Sequence, residues 1–500
     1  MNWLLLILIA FNPSSEGVEE APSAADSLYT MALAAESETM YLTADTLYRS
    51  AHTAFLEEGD GSMADSCRYG SYRMQRICME YPLTREQADS VLSERCPWLS
   101  ASRRDSYFQS GMMDHMDYQG SRYYFSECVA NLLFRNLDLM HEYGRRHSVR
   151  DPFYDPLRDI VLRPSGSGYP PVPWQPLINP MTFLVEGSMT IPRDELPSSG
   201  ILRIWVPVPV QSNDQTSPRM VSVEPQELVV YPPTTDRDIG TVFLECLLDS
   251  LETDLTVSVT TLHTHYERRC LVDPDRVGEY DIDDPDYIRY TSMNANIVYT
   301  QEMERLAREI TEGEDNPYLQ ARLLYEYVVE NVPYSHVPHM TMLVLGIPES
   351  VFCHENGYGD CGTQSMYFSA LCRSLGIPAR ACGGRQLVPG AEGSHFWAEF
   401  MVPEYGWVPV DVTVAETADW SWSMSEEEKD AFKEYFFGNL DPYRMVIQKD
   451  VNLIPSPEPG ERLAMETAIQ FPAMVCSGSM DDPSMLAAMH WNVRVLPVER

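Results

Sequence analysis

Lysine is nearly missing from this chain of 500 residues; it occurs only at Lys429, Lys433 and Lys449. Positive charge is scarce altogether, with 36 Lys and Arg against 74 Asp and Glu, a net of −38 at pH 7. Such a surface repels phosphate backbones and anionic lipid, which excludes nucleic acid as a partner. Two readings of the missing lysine stand: a compositional bias of the genome, or a surface adapted to high salt. Metal-ligand spacing is missing too. The eleven cysteines show neither CxxC nor the Cys/His clustering of zinc sites, so no metal and no cofactor is expected. Cys353-His354 is a lone neighbour pair in a loop. Long hydrophobic runs are also lacking. Trp3 to Phe11 is too short to span a bilayer and fits the core of a secretory signal over residues 1–20, although no basic residue precedes it. The expectation is export to a periplasmic or extracellular space, no integral membrane segment after cleavage, and disulfides among some of the cysteines.

What is present is globular: 44% hydrophobic and 11% aromatic residues, in a chain too long for one core. The pattern predicts a multidomain α+β protein. Residues 21–150 read as a helical domain of unassigned role. Within it Ala24 to Leu56 is helix-forming, Thr84-x-x-Gln87 reads as a capping box opening a helix through Arg95, and Gln119 to Tyr143 reads as one long amphipathic helix. Proline density makes 151–180 a linker. Residues 181–270, with "ILRIWVPVPV" and "LTVSVTTLHTHYERR", alternate as strands and predict a β-sandwich. His263 and His265 share a strand face there and could pair on a metal, but no third ligand is evident, which favours packed or solvated histidines. An acidic connector leads into residues 290–450, with helices over Gln301–Thr311 and Pro317–Val329. Residues 451–500 form a C-terminal extension.

The chemistry-bearing stretch is "GYGDCGTQSMYFSALCRSLGIPARACGG", residues 357–384. A glycine-rich loop turns at Cys361 into an apolar helix that Gly376-Ile377-Pro378 stops. Unpaired backbone N–H groups and the positive end of the dipole at a helix start stabilise a thiolate, and the same amides can donate to an oxyanion. Cys372, further along the same face, reads as core. A thiolate needs a base, and the base an orienting group. Downstream, "SHFWAEFMVPEYGWVPVDVT" reads as a hairpin: Ser394–Met401, a turn over Pro403–Gly406, and Trp407–Thr413 returning. That fold brings Asp411 to within a residue or two of His395. Asp360 could favour the helix start or raise the thiol, depending on where its carboxylate points. Trp397 and Trp407 could wall an acyl channel or stack under the hairpin.

These segments together resemble the transglutaminase-like superfamily, whose core is papain-like. The resemblance covers roughly residues 290–450, with "FFGNLDPYR" at 436–444 similar to the usual closing segment, and does not reach residues before 150. It implies an N-terminally capped cysteine helix on an antiparallel sheet, with Cys361 as nucleophile, His395 as general base and Asp411 orienting it. It also implies acyl transfer on peptide or carboxamide bonds through a thioester. Water as acceptor gives a protease or amidase; an amine gives cross-linking. Gly362 stands where animal transglutaminases carry Trp, and their calcium sites have no counterpart, so their acceptor architecture does not transfer. The acidic runs Asp281–Asp286 and Glu426–Glu428 read as solvated charge. The expected partner is a protein or peptide substrate; the oligomeric state is unassigned. Two rival readings stand: a non-catalytic binding scaffold that retains the fold, and a structural Cys353–Cys361 disulfide.

Overall fold

The computed structural model describes residues 22–147, 154–162, 177–459 and 468–496; the expected signal segment and most of the proline-rich stretch lie outside the described residues. The chain mixes helices with antiparallel sheets.

The N-terminal helices run Ala24–Ser37, Tyr41–Glu58, Gly61–Glu80, Arg85–Arg95 and Ala101–Gln109. Buried alanines at 25, 32, 44, 51 and 64 let these helices approach closely. Thr84 and Gln87 exchange the two bonds of a capping box, as the sequence predicts. The single helix expected over Gln119–Tyr143 is not formed. Instead His115–Tyr118 pairs with Ser121–Tyr124, and two shorter helices follow, Cys128–Phe134 and Leu137–His147. The reason is local: Gln119 and Gly120 both take positive φ (52° and 70°) and make a two-residue hairpin turn.

Two sheets share the next core. In one, Leu255–Arg269 lies between Leu177–Ile191 and Gln215–Glu224, and its end pairs with Asn439–Leu440. In the other, Ile201–Pro207 pairs with Thr241–Leu247. Alternating residues such as Ile204, Val206, Leu244, Val257 and Val259 point inward between them. The range 181–270 does not hold all of their strands. Ala473–Cys476 pairs with Ile201–Pro207, and Asn492–Leu496 pairs with Leu177–Ile191, so the C-terminal segment completes both sheets. The same segment meets the N-terminal helices through a buried Arg76–Asp482 ion pair at 2.5 Å.

A third sheet has the order Gly406–Val410, Gly393–Val402, Ala379–Gln386, Arg444–Gln448, all antiparallel. Across it lies the helix Cys361–Ser374, buried at every position after the first. Ions join this sheet to its neighbour: Glu399 on Gly393–Val402 accepts from Arg380 at 2.8 Å and from Arg268 of the strand Leu255–Arg269 at 2.8 Å. Among the described residues no helix is long and apolar enough to cross a membrane. All eleven cysteines are free thiols, so neither the Cys353–Cys361 bridge nor any other disulfide forms.

Candidate active site

Cys361 is the first residue of its helix, and Asp360 caps it. Asp360 Oδ1 accepts the Thr363 N–H (3.0 Å) while Thr363 Oγ1 accepts the Asp360 N–H (2.7 Å), a capping box that fixes the turn. Gly359 is required just before it, because a Cβ there would lie 2.6 Å from Thr363 Oγ1 and 3.0 Å from Cys353 Sγ. The loop is pinned from below by Gln364, whose buried amide donates to Val332 O (3.0 Å) and Gly359 O (3.1 Å).

The hairpin brings Asp411 back towards His395 as the sequence expects, and its register is fixed by the structure: Ala398 faces Val410 and Val402 faces Gly406, which puts Asp411 level with Trp397, two residues from His395. The returning strand ends at Val410 rather than Thr413, because Asp411 caps a helix, Val412–Trp420, by accepting the Val414 N–H on Oδ1 (3.0 Å). Its other oxygen meets His395 Nε2 at 2.8 Å. Both side chains are buried. Arg444 adds a partner that sequence reading missed: Nη1 lies 2.6 Å from Asp411 Oδ2, and Nη2 lies 2.6 Å from Asp441 Oδ2. Burial works against the charge of Asp411, but His395 and Arg444 hold its carboxyl well below the usual carboxylate range. An ionised Asp411 accepts, so His395 donates from Nε2, and Nδ1 is the ring nitrogen with a lone pair.

The backbone N–H of Phe396, the residue after His395, favours the Cys361 thiolate and the Asp411 carboxylate opposes it, so the His395 strand and Asp411 both lie beside the thiol. The helix start does not leave the thiol acidic. Burial pushes it well above its ordinary value and the Asp360 charge adds to this, while the N–H groups of Phe396 and Gly362 pull it back. The thiolate therefore depends on its proton being taken by a neighbour.

Residues 304–412 match the transglutaminase-like superfamily. The match ends one residue past Asp411. An uncharacterized protein of Haemophilus influenzae is 26% identical over 299 residues, 52% of this chain and 78% of that one. A candidate cysteine protease from Cytophaga hutchinsonii superposes with a TM-score of 0.41 at 14% identity, covering 65% of this chain and 94% of that one. The periplasmic domain of TgpA from Pseudomonas aeruginosa gives 0.23 at 14% identity, covering 53% and 99%.

Around the transglutaminase-like core, three other expectations resolve. A Cβ at Gly362 would already lie 3.4 Å from the Phe396 ring, so that ring fills the space a larger residue would need. Trp407 packs edge-on to Tyr290 (4.8 Å) with Arg380 over its face (4.0 Å), and Trp397 is buried beneath Arg444 (5.1 Å); both indoles are packing. His263 and His265 are buried. His263 Nε2 lies 3.1 Å from Arg444 O and its ring stacks on Phe183, while His265 faces Asp214 at 3.6 Å. Among the described residues no group of three or more His, Cys, Asp or Glu is arranged to hold a metal.

The N-terminal helices reach this core. Asn131, fully buried, bonds both the N–H (2.8 Å) and the C=O (2.9 Å) of His336. Phe134 packs edge-on to Tyr334 (5.0 Å) and against Trp420 (4.8 Å). Tyr334 forms a bridge with Gly359, two residues from the thiol.

Proposed function

We propose that this chain catalyses cysteine-dependent acyl transfer on amide bonds of a protein or peptide substrate, with Cys361 as nucleophile, His395 as general base and Asp411 as the residue that orients it. The observation that carries the reading is the bond from His395 Nε2 to Asp411 at 2.8 Å, on the strand whose next N–H favours the Cys361 thiolate.

His395 Nδ1 takes the thiol proton as sulfur attacks the carbonyl carbon. The oxyanion that forms faces the amides at the helix start, where N–H groups without intrahelical partners are available. Collapse breaks the C–N bond, Nδ1–H protonates the leaving amine, and an acyl-thioester remains on Cys361. Water, deprotonated by Nδ1, releases the acid and restores the thiol; a primary amine by the same route yields a new amide. Hydrolysis is the reading we favour. Export is part of the proposal, resting on the apolar segment Trp3–Phe11. So is the division of the chain into a helical part, a sandwich and a papain-like core.

The test is alkylation of Cys361 by iodoacetamide, followed by mass spectrometry against pH in wild type and His395→Ala. Selective labelling of Cys361 near pH 6, lost in the variant, is expected. The competing thiols are suppressed by burial: Cys67, Cys78 and Cys96 are each pushed up to about 11, and Cys128 to about 12. Labelling of Cys361 no faster than theirs would leave the scaffold reading in its place. Mass analysis of peptide products with and without an added amine then separates hydrolysis from transfer.

A further inference from the structure

Asp360 presents a problem for a thiolate at Cys361. Its carboxylate is fixed beside the sulfur by the cap: Oδ1 accepts the Thr363 N–H (3.0 Å) and the Thr363 hydroxyl (2.9 Å), so it cannot rotate away without losing the helix start. A negative charge held there opposes a second one on sulfur.

The other oxygen, Oδ2, faces His339 Nε2 at 2.7 Å, and His339 Nδ1 faces Glu349 Oε1 at 2.8 Å. Ionised carboxylates only accept, so a ring placed between two of them must donate from both nitrogens. It is an imidazolium. Packing around the ring opposes that charge, and Glu349 and Asp360 outweigh it, holding the imidazole well above its ordinary value. His339 is also the first residue of the helix His339–Leu345, the end at which a cation is disfavoured. Glu80, from the N-terminal helices, offsets this by accepting the N–H groups of Met340 (2.9 Å) and Thr341 (2.7 Å). The acidic groups facing His339 are therefore Glu80, Glu349 and Asp360; the titratable groups beside Cys361 are Asp360, Asp411 and Tyr334.

We propose that His339 is a positioning residue for the nucleophile: its imidazolium neutralises Asp360, so that the helix keeps its acidic cap and Cys361 can still become a thiolate. The inference rests on the reading of Cys361 as nucleophile. It also gives the N-terminal helices a part in the site, since Glu80 holds the turn on which His339 stands.

The experiment is the pH profile of Cys361 alkylation by iodoacetamide in the full chain, for wild type, His339→Gln, Asp360→Asn and the double variant. The His339 side chain is 43% exposed, so glutamine leaves no buried cavity. His339→Gln is expected to raise the labelling midpoint by about one pH unit, roughly tenfold slower labelling below it. Adding Asp360→Asn keeps a capping side chain while removing the charge, and should return the midpoint to the wild-type value. A purely structural role for His339 would show no such return. Folded His339→Gln with a wild-type midpoint, or a double variant as shifted as His339→Gln, overturns the proposal. If His339→Gln does not fold by circular dichroism, Asp360→Asn alone decides: a midpoint at or below wild type supports the proposal, and a raised one overturns it. Wild-type Cys361 that labels no faster than the other cysteines defeats the acyl-transfer reading and this inference together, whereas selective wild-type labelling that His339→Gln leaves in place defeats the inference alone.

Discussion

Asp411 Oδ2 is shared by His395 and Arg444, and this predicts a compensation between them. His395 Nε2 lies 2.8 Å from that oxygen and Arg444 Nη1 lies 2.6 Å from it. When the ring takes the thiol proton, Asp411 attracts the arriving charge and Arg444, no more than about 5.4 Å from Nε2 across the oxygen, repels it; at an effective dielectric of about 20 that repulsion is at least about 3 kcal/mol. Asp411→Asn removes the attraction and leaves the repulsion in place. Labelling of Cys361 at pH 7, which reads the thiolate–imidazolium pair, should then fall by more than two orders of magnitude. Adding Arg444→Gln, which can still donate to Asp441, removes the repulsion and should recover about 10²-fold of the loss. The assay is the second-order rate of iodoacetamide labelling, with folding checked by circular dichroism. A double variant that is folded and labels no faster than Asp411→Asn would refute the electrostatic account.

Glu416 is buried, and burial pushes its carboxyl well above the usual carboxylate range against the pull of the Gln364 amide and the Tyr334 N–H. A folded state that binds this proton more tightly than the unfolded chain is stabilised at low pH and loses that advantage as pH rises past about 4.5. Glu416→Gln should therefore match wild type in urea unfolding near pH 4 and exceed it increasingly towards pH 8; a difference independent of pH would refute this. Gly359→Ala puts a Cβ 2.6 Å from a tied hydroxyl, Thr363 Oγ1, and should cost about 1–3 kcal/mol in urea unfolding together with slower Cys361 labelling. Glu80→Ala removes the cap of the helix His339–Leu345, worth about 1 kcal/mol. Hydrogen exchange at the Met340 and Thr341 amides should quicken about fivefold, and unchanged exchange would show that Glu80 does not hold that turn.

Local signals make part of this site legible in the sequence. The Cys361 helix start follows from the glycine-rich loop and the apolar run after it, and the nearness of Asp411 to His395 from strand alternation and a short turn; each depends on residues close in sequence. Arg444 and His339 are not legible in the same way: Arg444 ends the segment at 436–444, but its contact with Asp411 spans 33 residues, and that of His339 with Asp360 spans 21. The strand Ala473–Cys476 is four residues long and pairs with a strand more than 260 residues earlier, so its alternation is too brief to read. Gln119-Gly120 lacks the Asn-Gly or Asp-Gly signal of a tight hairpin, and the flanking aromatics fit helical spacing as well as strand.

The segments around the transglutaminase-like core also bear on whether it can stand alone. His263, which the sequence suggests as half of a metal pair, lies on the long strand Leu255–Arg269 and meets Arg444 O at 3.1 Å. Burial lowers its imidazole to about 3, so it is neutral, and against a carbonyl it must carry its proton on Nε2. It braces the backbone of the residue that touches Asp411. On the opposite flank, Glu80 and Asn131 brace the loop that carries His336 and His339. A chain trimmed to residues 290–450 would lose both braces and would expose the Glu399 carboxylate that Arg268 now covers. Charge alignment at Asp411 and at Asp360 would loosen together. Cys361 lies in the core, but the backbone that carries Arg444 and His339 is held from outside it.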